Sequence, residues 1–311
     1  MAARIVVCEF MDGTAVEALR QRFEVDYRPK LVDDPAALEA ALQWADGWIV
    51  RNRTQVRGRL LEAATDVKVI GRLGVGLDNI DLAACEARGI TVIPASGANA
   101  ESVAEYVITA ALMLLRGAYA STRAVEAGTW PRQTLSQGRE AAGKVLGIIG
   151  LGSIGRLTAA KARAMGMRVI AHDRQLPATD NAWNTLGSAP RSLDELLRES
   201  DVVSLHIPLT PETRGLLGRD RLSTMKRDAV VINTARGGII DEAALAAMLR
   251  EGRLGGAALD VFTDEPLAAG SPLVGAPRLL LTPHIAGVTV EANERVSALI
   301  AERVAEALSS I

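Results

Sequence analysis

The chain has 311 residues, with 35 Lys and Arg against 37 Asp and Glu and a formal net charge of −2. Because acidic and basic residues are interspersed, nucleic acid is not expected as a partner. The sequence has no apolar run of about 18 residues, so a membrane span is not predicted, and the N-terminus becomes acidic too early for a signal peptide. We therefore expect a cytoplasmic protein with two reduced, buried cysteines, Cys8 and Cys85.

Over roughly the first 97 residues, short β-branched runs alternate with alanine-rich runs of helical period. Five stretches have strand character, namely RIVVCEF, FEVDY, GWIVR, VKVIGRLG and ITVIPA. Helical patterns lie between them, and this alternation predicts a parallel, doubly wound α/β sheet. The apolar stretch 99–117 then predicts a long buried helix that links two domains, and the more polar segment 118–140 has no clear period.

A second alternating series follows. Six stretches have strand character, namely KVLGIIG, RVIAHD, VVSLHI, AVVINTA, GAALDVF and LLLTPHI. Helical patterns separate these stretches, and an amphipathic helix closes the chain. The series predicts a second parallel sheet, so the fold class is α/β with two doubly wound domains.

A glycine-rich turn opens the second series. Gly150, Gly152 and Gly155 form G-x-G-x-x-G between an apolar strand and a helix, which is the context that a dinucleotide requires. The first glycine makes the turn, the second admits the pyrophosphate and the third lets the helix pack on the sheet. Asp173 ends the next strand, where a carboxylate binds ribose hydroxyls and favours NAD over NADP, although Arg174 beside it could partner a phosphate.

Three polar residues follow later apolar strands, at the sheet edge where open α/β folds bind ligands. They are Arg236, Glu265 and His284. A hydride transfer at a carbon that bears oxygen needs a proton donor, for which histidine is suited, and a carboxylate to orient its ring. Arginine can hold a substrate carboxylate in a bidentate manner. Taken singly, they could be a surface arginine, a turn acid and a packing histidine. His172 is assigned to the ribose end of the cofactor, and His206 is interpreted as cofactor-side or structural.

The chain resembles the D-isomer-specific 2-hydroxyacid dehydrogenase family in motifs that run along nearly its whole length. They are GRLGVGLDNIDL, NAESVAEYVI, GLGSIG, INTARGGIIDEAAL, GAALDVFTDEP and TPHIAG. The resemblance implies an NAD-dependent oxidoreductase with catalytic Arg236, Glu265 and His284 and no metal. The cofactor contacts that it implies beside the glycine turn are Ser153, Ile154, Asp173, Ile207, Thr234, Ala235, Asp260 and Gly287.

The resemblance also implies a domain division. Residues 1–98 and 288–311 would form a flavodoxin-like substrate-binding domain, and residues 99–287 an inserted Rossmann NAD domain. Segment 118–140 lies where the family has its dimerisation arm, which predicts a homodimer. The chain is most similar to 3-phosphoglycerate dehydrogenase-like members, in a short form without a regulatory domain.

Positive charge gathers at one rim of the expected substrate domain, where Arg51 and Arg72 follow strands and Arg53 lies between them. We expect the substrate to be held by Arg51, Arg53, Arg72, Gly74, Val75, Gly76 and Arg236. Such a rim fits a 2-hydroxy acid with a second anion, whether phosphate, sulfonate or carboxylate. Two alternatives stay open, a formate- or phosphite-type dehydrogenase and an NAD-sensing, corepressor-like binding protein, although formate enzymes typically have Gln where Glu265 stands.

Overall fold

The computed structural model describes residues 3–177 and 179–310, which form two compact units. The first unit consists of the chain up to Asn99 together with the chain from Val288 onward, and the second is Ala100–Gly287. Each unit has its own parallel sheet. The substrate-binding and NAD-binding roles of the two domains stay predictions at this stage.

The first unit is a five-stranded sheet of order β2-β1-β3-β4-β5 in which every neighbouring pair is parallel. Its strands are β1 Arg4–Val7, β2 Glu24–Tyr27, β3 Gly47–Val50, β4 Val69–Arg72 and β5 Thr91–Pro94. Its helices are α1 Gly13–Arg20, α2 Pro35–Leu42, α3 Gly58–Ala63, α4 Leu82–Ala87 and, from the end of the chain, α13 Val290–Ser309. This strand order is that of flavodoxin-like folds.

Side-chain caps start most of these helices. Asp12, Asp34 and Asp81 accept hydrogen bonds from backbone N–H groups in the first turns of α1, α2 and α4. Such caps satisfy donors that have no partner inside the helix, and each stabilises the helix by about 1 kcal/mol. Pro35 at the first position of α2 lacks an N–H and already has helical φ.

The second unit is a seven-stranded parallel sheet of order β12-β11-β10-β9-β6-β7-β8. Its strands are β6 Val145–Ile149, β7 Arg168–His172, β8 Ala189–Pro190, β9 Val202–Leu205, β10 Val230–Asn233, β11 Gly256–Leu259 and β12 Leu279–Leu281. Its helices are α5 Ala100–Arg116, α6 Thr122–Glu126, α7 Arg132–Leu135, α8 Ser153–Ala164, α9 Ala182–Leu186, α10 Leu193–Glu199, α11 Arg219–Thr224 and α12 Glu242–Arg250.

The predicted fold class is confirmed, with one correction to the second sheet. Six strands were expected there and seven are present, because β8 has only two residues and ends in Pro190. Two residues carry no detectable period, and proline argues against a strand except at a sheet edge, which is where β8 lies. The six predicted strands of the second sheet and the five of the first are all present.

The core explains why the strands of the second sheet read as continuous apolar runs. Strands β6, β9, β10 and β11 are buried at every position, because helices cover both faces of a parallel sheet. Nine residues of helix α5 are buried, and six of them belong to one of the two apolar clusters around this sheet. Among the described residues, none of the helices has the length and hydropathy of a transmembrane segment.

Candidate functional site

The register of the second sheet aligns the ends of six strands in one row. Ile149 pairs with both His172 and Leu205, and the row continues through Asn233, Leu259 and Leu281. The residues that follow this row are Gly150, Asp173, His206, Thr234, Asp260 and Thr282. Nearly all of the predicted site residues of this unit therefore lie along a single sheet edge, where ligands bind in folds of this kind.

The glycine turn at this edge is sterically determined at two of its three glycines. Gly150 has φ +99°, and a Cβ there would lie 2.5 Å from the carbonyl oxygen of His206. A Cβ on Gly155 would lie 2.1 Å from the carbonyl oxygen of Gly150. Any larger residue at these positions would push α8 away from the strands.

Gly152 is different, because a Cβ built there meets no described atom within 4 Å. This glycine is the N-cap of α8 and provides no side-chain cap, so the first N–H groups of a 12-residue helix have no side-chain acceptor. Ser153 and Ile154 open the helix, and no acidic residue lies in its first turn. Open space above uncapped N–H groups fits the phosphates of a dinucleotide.

Asp173 faces the glycine turn. Its Oδ2 accepts a hydrogen bond from Leu151 N at 2.7 Å, and its Oδ1 accepts one from Gln175 N at 2.8 Å. Because each carboxylate oxygen has two acceptor positions, the group keeps capacity for the hydroxyls of a ribose. Asp173 thus has two roles, since it holds the turn and presents negative charge beside it.

The neighbouring strand ends supply the other predicted cofactor contacts. Ile207 lies against the glycine turn, with its Cγ2 atom 2.8 Å from where a Cβ of Gly150 would be. The Thr234 hydroxyl is buried without a hydrogen-bond partner among the described residues, which leaves a donor and acceptor for a ligand at this edge. Ala235 follows it, and Gly287 lies just beyond the loop of His284.

His206 is the histidine that the geometry removes from proton chemistry. Its Nε2 lies 2.9 Å from Ser204 Oγ, and burial lowers its pKa to about 4. The ring is therefore neutral near pH 7. His172 Nδ1 lies 3.0 Å from the carbonyl oxygen of Arg191, so this ring too is engaged locally.

Arg236 stands on a turn that the buried amide of Asn233 shapes. Asn233 Oδ1 accepts from Ala235 N at 3.0 Å, and its Nδ2 donates to the carbonyl oxygen of Arg236 at 2.8 Å. The next residue, Gly237, has no room for a side chain, since a Cβ would lie 1.8 Å from the carbonyl oxygen of Phe262. This close approach joins the loop of Arg236 to the loop that carries Glu265.

His284 and Glu265 form a hydrogen-bonded pair, as the sequence predicted. His284 Nδ1 lies 2.8 Å from Glu265 Oε2, and the two side chains are 44% and 38% exposed. Glu265 Oε1 accepts from Phe262 N at 3.1 Å, which orients the carboxylate. A carboxylate only accepts, so Nδ1 carries hydrogen and Nε2 is the ring atom free to exchange a proton.

Asp260 is the anchor of the loop that carries His284. It is 1% exposed, and its carboxylate accepts from Thr282 Oγ1 at 2.6 Å, Ile285 N at 2.8 Å and Ala286 N at 2.8 Å. His284 has φ +56°, a conformation that costs a non-glycine residue about 1–3 kcal/mol. Its own N–H donates to the carbonyl oxygen of Asp260 at 2.9 Å. The predicted contact of Asp260 with the cofactor stays a prediction.

The predicted substrate residues other than Arg236 lie in the first unit, at the carboxyl ends of β3 and β4 or just after them, and their arginines differ from one another. Arg53 is exposed and forms an ion pair with Asp33. Arg72 donates to its own neighbour's carbonyl oxygen, that of Leu73, at 2.9 Å, and its guanidinium fills the space beside Gly74. Val75 is 39% exposed, and Gly76 follows it. Arg51 is partly buried, and burial lowers its pKa.

Some contributors to these sites went unnoticed in the sequence. Asn233 and Glu9 lie buried at strand ends, at 2% and 4% exposure, and both hold loops rather than ligands. Tyr106 hydroxyl lies 2.6 Å from Thr282 Oγ1, which extends the Asp260 network to helix α5. The detectable signal was a polar residue closing an apolar run, as in VVIN and VVCE.

Comparisons with known proteins agree with this geometry. The sequence model of the D-isomer specific 2-hydroxyacid dehydrogenase NAD binding domain matches residues 108–286. The chain is 51% identical to (S)-sulfolactate dehydrogenase of Chromohalobacter salexigens over 98% of each chain. It is 38% identical to D-3-phosphoglycerate dehydrogenase of Mycobacterium leprae, over 98% of this chain and 57% of that protein. A solved protein of Thermus thermophilus superposes with a TM-score of 0.89 at 37% identity, covering 99% of this chain and 97% of that one.

The position of Asp173 yields a prediction about cofactor choice. Wild-type protein should bind NADH well and NADPH poorly, because a 2′-phosphate would meet the carboxylate. Asp173→Ala should weaken NADH binding by about tenfold or more, as expected for loss of charged hydrogen bonds, and weaken NADPH binding less. Nicotinamide fluorescence titration measures both affinities. Equal wild-type affinity for the two dinucleotides would contradict the assignment.

Proposed function

The chain belongs to the D-isomer specific 2-hydroxyacid dehydrogenase family, and we propose that it interconverts a D-2-hydroxy acid bearing a second anionic group and the corresponding 2-keto acid. The enzyme is an NAD-dependent oxidoreductase. The observation that carries the proposal is the His284–Glu265 pair, which lies at the same sheet edge as the glycine turn and the N-terminus of α8, where no side chain caps the helix. When bound, NAD supplies or accepts the hydride at carbon 2 of the substrate.

His284 moves the proton that accompanies the hydride. In reduction, negative charge grows on the carbonyl oxygen and His284 Nε2 donates to it. In oxidation, the same atom accepts the hydroxyl proton. Glu265 holds the Nδ1 side of the ring and stabilises the positive charge that the ring carries when doubly protonated. The carboxylate stays an acceptor throughout.

Arg236 binds the substrate carboxylate. A planar guanidinium offers paired N–H donors that match a carboxylate, and its charge also polarises the adjacent carbonyl. The turn formed by Asn233 and the contact between Gly237 and Phe262 fix the backbone position from which the Arg236 side chain projects. Orientation of the substrate is therefore built into the backbone before binding.

The second anionic group is assigned to Arg51. Its guanidinium contacts Asn293 Oδ1 at 2.5 Å and lies 5.7 Å from the centre of the Phe10 ring, and it forms no ion pair among residues 3–177 and 179–310. The direct contacts of this partly desolvated cation are uncharged and Glu9 acts on it only through space, so the guanidinium favours an anionic ligand. Arg53, by contrast, is already neutralised by Asp33.

A sulfonate at carbon 3 is the group that we favour. The relative that is 51% identical over 98% of both chains is an (S)-sulfolactate dehydrogenase. The label (S) is consistent with a D-specific family, because sulfur gives the CH2–sulfonate branch priority over the carboxylate and reverses the descriptor without changing the arrangement in space. A D-configured sulfolactate is therefore the (S) isomer.

We further propose a cytoplasmic homodimer. Both cysteines are free and buried, as is usual in reducing compartments. Segment 118–140 bears three large exposed apolar side chains, Tyr119, Val125 and Trp130, with Trp130 75% exposed. Side chains of this size and exposure favour burial against another protein surface.

Replacing His284 tests the proton-transfer role. His284→Ala should lower kcat by about 10²–10⁴-fold, the usual contribution of positioned general acid–base catalysis. NADH affinity should stay within about threefold, since the glycine turn and Asp173 hold the dinucleotide. Stopped-flow reduction of 3-sulfopyruvate and fluorescence titration measure the two quantities. Near-normal turnover would return His284 to a packing role.

Glu265→Gln is the graded companion of that variant. An uncharged amide can still accept from Nδ1–H, so the ring keeps its orientation but loses a charged partner. We expect turnover to fall by about tenfold, less than in His284→Ala, which corresponds to weakening one charge-assisted hydrogen bond.

Wild-type protein that binds NADH yet reduces no 2-keto acid would instead favour the NAD-sensing alternative.

The matched variants Arg51→Ala and Arg53→Ala test the assignment of the second anion. Arg51→Ala should raise KM for 3-sulfopyruvate by about 10–100-fold, the value of a hydrogen-bonded charge, and leave KM for pyruvate within about threefold. Arg53→Ala should change either KM by no more than about threefold, because exposed ion pairs contribute little. Equal losses on both substrates in Arg51→Ala would make Arg51 structural.

The oligomer is tested by removing apolar surface from segment 118–140. A Tyr119→Ser/Trp130→Ser variant should shift light-scattering mass from two chains toward one, because these side chains would be buried in the dimer. Trp44→Ser is the control, since Trp44 is 68% exposed on the other unit and lies outside the segment. A monomeric wild-type protein would refute the proposal.

A further inference from the structure

A buried carboxylate lies beneath the loop that carries Arg51 and Arg53. Glu9, which follows β1 and is 4% exposed, accepts four hydrogen bonds from this loop. Its Oε1 accepts from Arg51 N at 2.8 Å, Thr54 N at 3.1 Å and Thr54 Oγ1 at 2.7 Å, and its Oε2 accepts from Arg53 N at 3.2 Å. Every amide N–H of the loop 51–54 except that of Asn52 is thus directed at one side chain.

Further polar side chains lie beside this carboxylate. The Thr54 hydroxyl gives its hydrogen to Glu9, so in the 3.3 Å contact between Cys8 Sγ and Thr54 Oγ1 only the thiol can donate, and the carbonyl oxygen of Ile49, 3.6 Å from Sγ, is a second acceptor for the same hydrogen. Trp48 Nε1 in turn donates to Cys8 Sγ at 3.3 Å. Burial raises the pKa of Cys8 to about 11, so the thiol keeps its hydrogen near neutral pH. Among these three side chains, the Thr54 hydroxyl is the one that contacts Glu9 directly.

The carbonyl side of the loop is fixed as well. Asn79, 7% exposed, donates through Nδ2 to the carbonyl oxygens of Arg51 at 3.1 Å and Thr54 at 2.7 Å. Together Glu9 and Asn79 hold the backbone of residues 51–54 from both its donors and its acceptors. A buried network that is satisfied in this way restricts a loop to one conformation.

Glu9 contacts backbone rather than the guanidinium groups. Its four hydrogen bonds leave the Arg51 guanidinium to Asn293, the carbonyl oxygen of Phe10 and the Phe10 ring, none of which is charged. The carboxylate therefore places the base of the Arg51 side chain without neutralising its end by direct contact. An ion-pairing acid would do the opposite and compete with a substrate anion.

We propose that Glu9 is a positioning residue that sets the preference of the enzyme for dianionic over monoanionic 2-keto acids, by fixing the loop from which Arg51 projects. The proposal rests on the proposed function, in which Arg51 takes the second anion. The two ways in which Glu9 could act, by positioning the loop or by its charge, predict opposite changes in the affinity for an anionic substrate when Glu9 is replaced. Removing a negative charge should by electrostatics alone strengthen binding of an anion, whereas releasing the loop should weaken it.

The experiment compares steady-state kinetics of full-length wild type, Glu9→Gln and Glu9→Ala with 3-sulfopyruvate and with pyruvate. Glu9→Ala should raise KM for 3-sulfopyruvate by about tenfold, with kcat and KM for pyruvate within about threefold. In Glu9→Gln the amide oxygen can replace Oε1 and keep its three donors, so KM for 3-sulfopyruvate should rise no more than about threefold. Rescue by glutamine distinguishes loop placement from charge.

Two further variants serve as companion and control. Thr54→Val removes one donor to Glu9 and should raise KM for 3-sulfopyruvate, as Glu9→Ala should. This variant provides the test if Glu9→Ala does not fold. Asp46→Ala removes the acceptor of Arg4 N at the opposite end of the strands of the same sheet, and should leave the substrate preference unchanged. Tighter sulfopyruvate binding in Glu9→Gln, or equal loss on both substrates, would overturn the proposal. Wild type without any preference for 3-sulfopyruvate would instead refute the proposed substrate class.

Discussion

Backbone N–H groups in the loops that follow parallel strands need hydrogen-bond acceptors, and in this protein carboxylates that follow the adjacent strands accept from them. Glu9 follows β1 and accepts from the loop after β3, Asp173 follows β7 and accepts from the turn after β6, and Asp260 follows β11 and accepts from the loop after β12. In each case the loop that is held carries a residue of the proposed chemistry. Leaving such buried N–H groups unpaired would cost about 1–3 kcal/mol each.

At the amino-terminal ends of the strands in both sheets, carboxylates also accept from backbone N–H groups of adjacent strands, but no function is predicted there. Asp46, before β3, accepts from Arg4 N at 2.7 Å, and Asp201, before β9, accepts from Val145 N at 2.8 Å. These carboxylates also join adjacent strands, yet no predicted site residue stands beside them. The carboxylate is therefore an architectural solution, and its functional meaning at the carboxyl edge comes from what the supported loop presents.

The sequence predicted the parts of the site that depend on local patterns. The glycine turn, the strand that precedes Asp173 and the His284–Glu265 pair follow from spacing and residue chemistry, and the register places them on one edge. Sequence did not separate Arg51 from Arg53, because the ion pair of Arg53 with Asp33 joins residues 20 positions apart. It also missed Glu9 and Asn233, because most of their hydrogen-bond partners are backbone atoms, whose positions are not encoded in residue type.

In the proposed function, the two units divide the chemical requirements of the reaction. Residues of the second unit would act on the features that every 2-hydroxy acid shares, namely the carboxylate, the reacting oxygen and the hydride. The His284 loop accordingly tolerates a strained φ of +56° because Asp260 fixes it on both sides. Residues of the first unit would act on the part of the substrate that varies. There Glu9 and Asn79 hold the backbone of a four-residue loop, so the side chains of Arg51 and Arg53 can be exchanged without removing that support, and specificity can change while the catalytic edge stays the same.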